Sequence, residues 1–176
     1  MIQRVKIIIV ALAMGSGASA DISTSNRVAK ARIVNSAGAE IGRAKVSAMR
    51  DGVKINLKVS NLKPGTLALH IHEHGACEGP SFESAGSHFN PMGKAHGFQA
   101  TNGPHLGDLR NIEVNEQGKA TVEQKVSGLT LDPGQVSIVG KTLVIHAGPD
   151  DYKSQPAGGS GDRIACGVIQ QSVDKR

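Results

Sequence analysis

The clearest signal in the chain is a period of two. Val53, Ile55, Leu57 and Val59 alternate with Lys54, Asn56, Lys58 and Ser60, the pattern of a strand with one buried and one solvated face. Asp51-Gly52, immediately before it, reads as a hairpin turn. Residues 27–34 form a run of similar length with looser alternation, and residues 112–114 and 120–126 flank a further turn at Gln117-Gly118. Beyond residue 20 no stretch sustains the 3.6-residue period of an amphipathic helix, while 22 Gly and 7 Pro punctuate the chain. The pattern predicts an all-β antiparallel sandwich or barrel.

Two stretches break the strand rhythm, residues 73–106 and 147–162, both rich in Gly, Pro and polar side chains. Loops this long inside a compact domain are usually functional or disordered. Six of the seven histidines lie in or beside them, which favours function. The first twenty residues differ again: Arg4 and Lys6, an apolar run over residues 7–14, then Ala18-Ser19-Ala20. That is the layout of a secretory signal. Its apolar run is far shorter than the roughly 20 residues of a membrane helix, so the expected product is an exported protein, periplasmic or secreted, without stable membrane insertion.

Export divides the chain into a signal over residues 1–20 and one domain over residues 21–176, a size at which a single core suffices. The chain's net charge of +5 includes Arg4 and Lys6, which leaves a mature excess of +3. With three Phe, one Tyr and no Trp, the composition does not suit nucleic-acid binding, which calls for basic clusters interleaved with aromatics. Cys77 and Cys166 are the two cysteines. In an oxidising compartment they are expected to form one disulfide, tying a histidine-bearing loop to the C-terminal strand.

His70 and His72 sit in Leu69-His70-Ile71-His72. On a strand both imidazoles project from one face, about 6.6 Å apart at Cα, while Leu69 and Ile71 face the core. His146 joins them if residues 142–146 form a neighbouring strand with Leu143 and Ile145 inward. His88, His96, His105 and Asp108 follow at intervals of 8, 9 and 3 residues. Three imidazoles and a carboxylate suit tetrahedral zinc, and a flatter set of nitrogens suits Cu(II). A metal would also supply folding energy to a loop with little apolar surface of its own.

The segments around these residues, among them His70-Ile71-His72-Glu73, Gly86-Ser87-His88-Phe89-Asn90-Pro91, Lys94-Ala95-His96-Gly97, His105-Leu106-Gly107-Asp108-Leu109, Leu143-Val144-Ile145-His146 and Arg163-Ile164-Ala165-Cys166-Gly167, resemble the copper/zinc superoxide dismutases, and most closely their exported bacterial members. The resemblance implies an eight-stranded Greek-key barrel with the metals outside it, under two loops. It implies copper on His70, His72, His88 and His146, zinc on His88, His96, His105 and Asp108, and His88 as a bridge between them. Asp150 matches a carboxylate that accepts hydrogen bonds from His70 and His96, and Arg163 matches the arginine at the mouth of the copper site, suited to a small anion. The implied substrate is superoxide, with catalytic roles for His88 and Arg163.

The chain departs from the animal pattern in extra residues between Cys77 and His88 and in a shorter loop from His146 to Arg163. Steering lysines therefore do not transfer, although Lys94 and Lys153 are candidates, and His74 is left as a surface residue. Dimer geometry differs between branches of the family, so monomer and homodimer stay open. Two other functions use similar residues: a non-catalytic copper/zinc carrier on the same scaffold, and a zinc hydrolase using three imidazoles and a water.

Overall fold

The period-two pattern becomes a curled antiparallel sheet in the computed structural model, which describes residues 27–172. The expected export signal lies outside those residues. Ten strands follow one another in chain order: β1 (Val28–Asn35), β2 (Glu40–Met49), β3 (Gly52–Val59), β4 (Gly65–Leu67), β5 (Leu69–His72), β6 (Ile112–Val114), β7 (Ala120–Ser127), β8 (Thr142–His146), β9 (Arg163–Val168) and β10 (Gln170–Gln171). The main sheet runs β5-β8-β9-β1-β2-β3-β7, with β10 also paired to β1, making eight strands, while β4 and β6 form a separate pair. The neighbours β9–β1, β3–β7 and β5–β8 are distant in sequence, the mark of Greek-key connections. This all-β arrangement agrees with the expectation.

Register explains the core. Ala31 lies opposite Ala44, Ala44 opposite Leu57 and Leu57 opposite Val122, so one inward row crosses four strands. Small residues on β1 and β2 leave room for the larger Leu57 and Ile55 on β3. Leu69, Ile71, Leu143 and Ile145 belong to the same buried cluster, as the alternation in β5 and β8 required. Leu67, Ile112 and Val114 bring the β4–β6 pair against it. Among the described residues no helix is long and apolar enough to cross a membrane.

Three details differ from the sequence reading. The β2–β3 turn is Arg50-Asp51, because Gly52 already pairs with Met49. The strands on either side of the Gln117-Gly118 turn do not pair with each other: β6 pairs with β4 and β7 with β3. β2 itself gave no clear period. Its register against β1 slips between Ile33 and Val34, so buried Ile41 and Ala44 are three apart and the alternation skips a step.

Two connections carry the site. Residues 73–111 join β5 to β6 with only a single 3-10 turn, Glu83–Ala85, and residues 147–162 join β8 to β9. Cys77 and Cys166 are joined by a disulfide, which fastens the first connection to β9. Beneath it Val34, Phe82, Ala85, Val144 and Cys166 form a small second core on the outer face of the sheet. The long loop thus has an apolar anchor where its own sequence is polar.

Candidate metal centre

β5 places His70 and His72 on the face opposite Leu69 and Ile71, but the loops cover that face too, so all four residues are buried. β8 lies antiparallel to β5, with Ile145 opposite Leu69. His146, one residue on, sits at an irregularity where β8 pairs with Arg163 of β9. The other edge of β5 is occupied by the long loop: the Phe89 N–H donates to Ile71 O and the Ile71 N–H to Gly107 O, both at 2.8 Å. A side chain at Gly107 would lie 2.3 Å from Ile71 O, so this close approach requires glycine. These bonds bring His88 and Asp108 alongside β5.

Four ligand-type atoms from His70, His72, His88 and His146 lie within 4.8 Å of one another, as do four from His88, His96, His105 and Asp108. These are the two expected groups, and His88 stands in both. A third group, His70, His96 and Asp150, links them from behind. Asp150 Oδ2 is 2.9 Å from His70 Nε2 and Oδ1 is 3.0 Å from His96 Nε2.

The hydrogen bonds decide which ring nitrogens carry protons, since a neutral imidazole has one N–H. His70 donates from Nε2 to Asp150, His72 from Nδ1 to Gly86 O at 2.9 Å, and His146 from Nδ1 to Gly161 O at 3.1 Å. The remaining nitrogens are lone pairs. His72 Nε2 and His146 Nε2 face each other at 3.4 Å, and His70 Nδ1 and His88 Nε2 are buried with no hydrogen-bond partner among the described residues. A set of converging lone pairs with no donor among them is a site for a cation.

The second group gives the same answer. The Nδ1 atoms of His88, His96 and His105 lie 2.9, 3.0 and 3.2 Å from one atom, Asp108 Oδ1. His96 already donates from Nε2 to Asp150, so its Nδ1 presents a lone pair to a carboxylate oxygen. His105 Nδ1 is out of hydrogen-bonding alignment and has no partner. A tetrahedron with ligand bonds of about 2.0 Å has edges of about 3.3 Å, close to these separations. Asp108 Oδ2 faces away and accepts the N–H groups of Gly97 and His105 at 2.7 and 3.0 Å. Four imidazoles are a donor set that suits copper, and three imidazoles with a carboxylate one that suits zinc.

Electrostatics keep the donors ready. Burial pushes His72 down to about 2 and His146 to about 3. Burial also lowers His88, to about 4, against the opposing pull of Asp108. Burial works against the Asp108 charge, yet contacts from His105 and His88 and the Gly97 N–H hold its carboxyl well below the usual range. Asp150 is likewise lowered, its desolvation outweighed by His70, His96 and the Tyr152 N–H.

Above the first group lies a cleft of about 520 Å³ lined by His72, His88, His146, Glu73 and Arg163 among others. Arg163 Nη1 donates to Phe82 O at 2.8 Å and Nη2 to Gly86 O at 2.7 Å. Both acceptors lie on the loop held by the disulfide. Gly86 O therefore receives both His72 and Arg163, coupling a ring orientation to the cation at the mouth. Lys94 and Lys153 do not line this cleft. His74 is exposed and 3.8 Å from Glu73.

Sequence reasoning missed the supports. Asn111 accepts the Asp150 N–H and donates to Asp150 O, both at 3.0 Å, and Gln155 brackets the backbone of His96 at 2.9 Å on each side. Such amides carry no motif, and the carbonyls of Gly86 and Gly161 leave no trace in the sequence at all. Gly158 has φ +66, and a Cβ there would lie 1.7 Å from Asp150 Oδ1.

The chain is similar to known proteins over most of its length. The chain is 48% identical over 145 residues to superoxide dismutase (Cu-Zn) 1 of Aquifex aeolicus, covering 80% of this chain and 86% of that one. It is 38% identical over 151 residues to the superoxide dismutase-like protein YojM of Bacillus subtilis, covering 82% and 77%. A crystal structure of a SOD-like protein from Bacillus subtilis superposes with a TM-score of 0.77 at 38% identity, covering 80% of this chain and 97% of that one. Residues 40–169 match the family described as copper/zinc superoxide dismutase, and the chain belongs to that family.

Proposed function

We propose that this chain, a superoxide dismutase using copper and zinc, holds copper on His70, His72, His88 and His146 and zinc on His88, His96, His105 and Asp108, with His88 shared. The observation that carries the reading is the pair of converging lone-pair sets, in which His88 turns Nε2 to one and Nδ1 to the other. Copper, when bound, supplies the one-electron couple through which one superoxide is oxidised to oxygen and another reduced to hydrogen peroxide. The protein's part is to bring in the anion, hold the rings and deliver protons.

Arg163 lines the cleft with a fixed positive charge. Two of its donors are tied to Phe82 O and Gly86 O, which leaves the rest of the guanidinium to attract and orient a small anion. His88 lines the same cleft, and its buried Nε2 has no hydrogen-bond partner among the described residues, so it can take a proton in one half of the cycle and return it in the other. Its Nδ1 side is held by the second group throughout. Asp150, by fixing the His70 and His96 rings together, couples the two groups mechanically.

The signal-like residues 1–20 and the disulfide support export to the periplasm or cell exterior. N-terminal sequencing of the mature protein should find Asp21 first. The functional test is dismutation by the purified protein before chelation, after it, and after return of each metal. Dismutation should vanish on chelation and return with copper, whereas hydrolysis of an ester by the protein loaded with zinc alone, without dismutation in any metal state, points to hydrolase-type chemistry. Full copper loading without dismutation points to a carrier.

A further inference from the structure

The outer face of β1, β2, β3 and β7 carries a feature unrelated to the metal centre. Its side chains line up in cross-strand rows by register. In one row Arg32 lies opposite Arg43, and Arg43 opposite Lys58. In the next Lys30 lies opposite Lys45, and in a third Lys54 lies opposite Lys125. Like charges directly opposite one another destabilise a sheet, and neighbouring strands are only about 4.8 Å apart. Two carboxylates offer compensation: Glu40 pairs with Arg43 at 2.6 Å and Glu123 with Lys54 at 3.5 Å. Lys30, Arg32, Lys45 and Lys58 are exposed and form no ion pair among the described residues.

This concentration is out of proportion to the chain. Among the described residues, seven Lys and Arg lie on the face with only two Asp and Glu, in a chain that has 20 and 15 of them. Five of the cations, with the Asn56 amide, line a groove of about 840 Å³ that is flanked by β10 and Ser172. The groove therefore offers charge along its length, with amide and hydroxyl groups beside it. The chain's four Phe and Tyr residues lie elsewhere: Phe82 and Phe89 are buried, and Phe98 and Tyr152 pack on each other. The face has no ring to stack on bases and none to anchor in a bilayer.

We propose that this face is a docking site for an acidic polysaccharide, a linear, hydroxyl-rich polymer bearing carboxylate or similar anionic groups. The cation rows receive the anionic groups and the Asn56, Gln170, Gln171 and Ser172 side chains receive sugar hydroxyls. The metal cleft is built from β5, β8 and the two long loops, so a docked polymer leaves it open. The site is independent of the dismutase reading. It gives the enzyme a place as well as a reaction.

The test is binding of the full chain to immobilised polygalacturonate over a salt series, with dextran as the uncharged control. The triple variant Arg32→Glu, Lys45→Glu, Lys58→Glu should lose more than a hundredfold in affinity, since removing each cation at an anionic surface costs about one kcal/mol and the reversed charge adds repulsion. Its dismutase activity should be unchanged, which also reports folding. The neutral set Arg32→Gln, Lys45→Gln, Lys58→Gln should lose a smaller share. A control triple with the same change in net charge, Lys63→Glu, Lys119→Glu, Lys153→Glu, should bind nearly as well as the parent. Equal losses in the two Glu triples would mean that net charge alone is responsible and would overturn the site, as would absence of binding by the parent. Tighter binding to vesicles of phosphatidylglycerol and phosphatidylcholine in equal parts, or to single-stranded DNA, would replace the polysaccharide with that partner.

Discussion

At the scale of single residues, the metal centre depends on where protons are prevented from sitting. The rings of His70, His72 and His146 each spend their one N–H on an oxygen behind them: Asp150, Gly86 O or Gly161 O. The lone pairs that remain have nowhere to go but inward. Arg163 is then more than a charge at the mouth, because its bond to Gly86 O shares an acceptor with His72. Arg163→Ala should lower dismutation and flatten its salt dependence, since the Debye length shrinks from about 30 Å at 0.01 M salt to about 10 Å at 0.1 M. Arg163→Lys should fall between, keeping charge but losing the fork. Rates at matched metal content across a salt series measure this. Full activity in the Ala variant would remove the residue from the proposed mechanism.

At the scale of elements, the strands bring three histidines and the loops bring the rest, but the loops hold their shape through contacts outside the ligand set. The segment after β8 closes on Asp150 because Gly158 leaves space for the carboxylate. Gly158→Ala should therefore act as a lesion at Asp150: both the 1.7 Å approach and the positive φ forbid the methyl. Loss of such an outer support typically costs 10- to 100-fold in metal affinity. Competition with a calibrated chelator tests it, and unchanged affinity for both metals would show that the segment does not position Asp150. Much of this level was legible beforehand. The alternations in β3, β5 and β8 marked both the core and the histidine face, and the two breaks in rhythm marked the loops. What was hidden was backbone and amide chemistry: Gly86 O, Gly161 O, Asn111 and Gln155 act through atoms that any residue, or many loop residues, could supply. β2 escaped because a register slip interrupts its period. The pairings of β6 and β7 escaped because a local turn says nothing about which distant strand each side will join.

For the molecule as a whole, a metal-free centre of this kind should make stability depend on pH. His72, His88 and His146 have folded values of about 2, 4 and 3, below the ordinary value near 6.5. Below pH 6.5 the unfolded chain takes up protons that the folded one refuses, so stability is lost as pH falls. Each ring contributes up to about 2 kcal/mol of that loss at pH 5. Asp108, whose carboxyl is lowered, adds to the loss in the acid range below its unfolded value. Thermal unfolding of chelated protein should show a midpoint falling from pH 7 to pH 5, and a flat profile would mean that the rings are not held neutral by burial. The central claim is that one ring serves two metals, and the measurement that tests it most directly is metal content and copper spectrum of His88→Ala beside His105→Ala. The account predicts that His88→Ala disturbs both metals while His105→Ala mainly weakens zinc and leaves a copper site of altered spectrum. Normal binding of both metals with an unchanged copper spectrum in His88→Ala would contradict it.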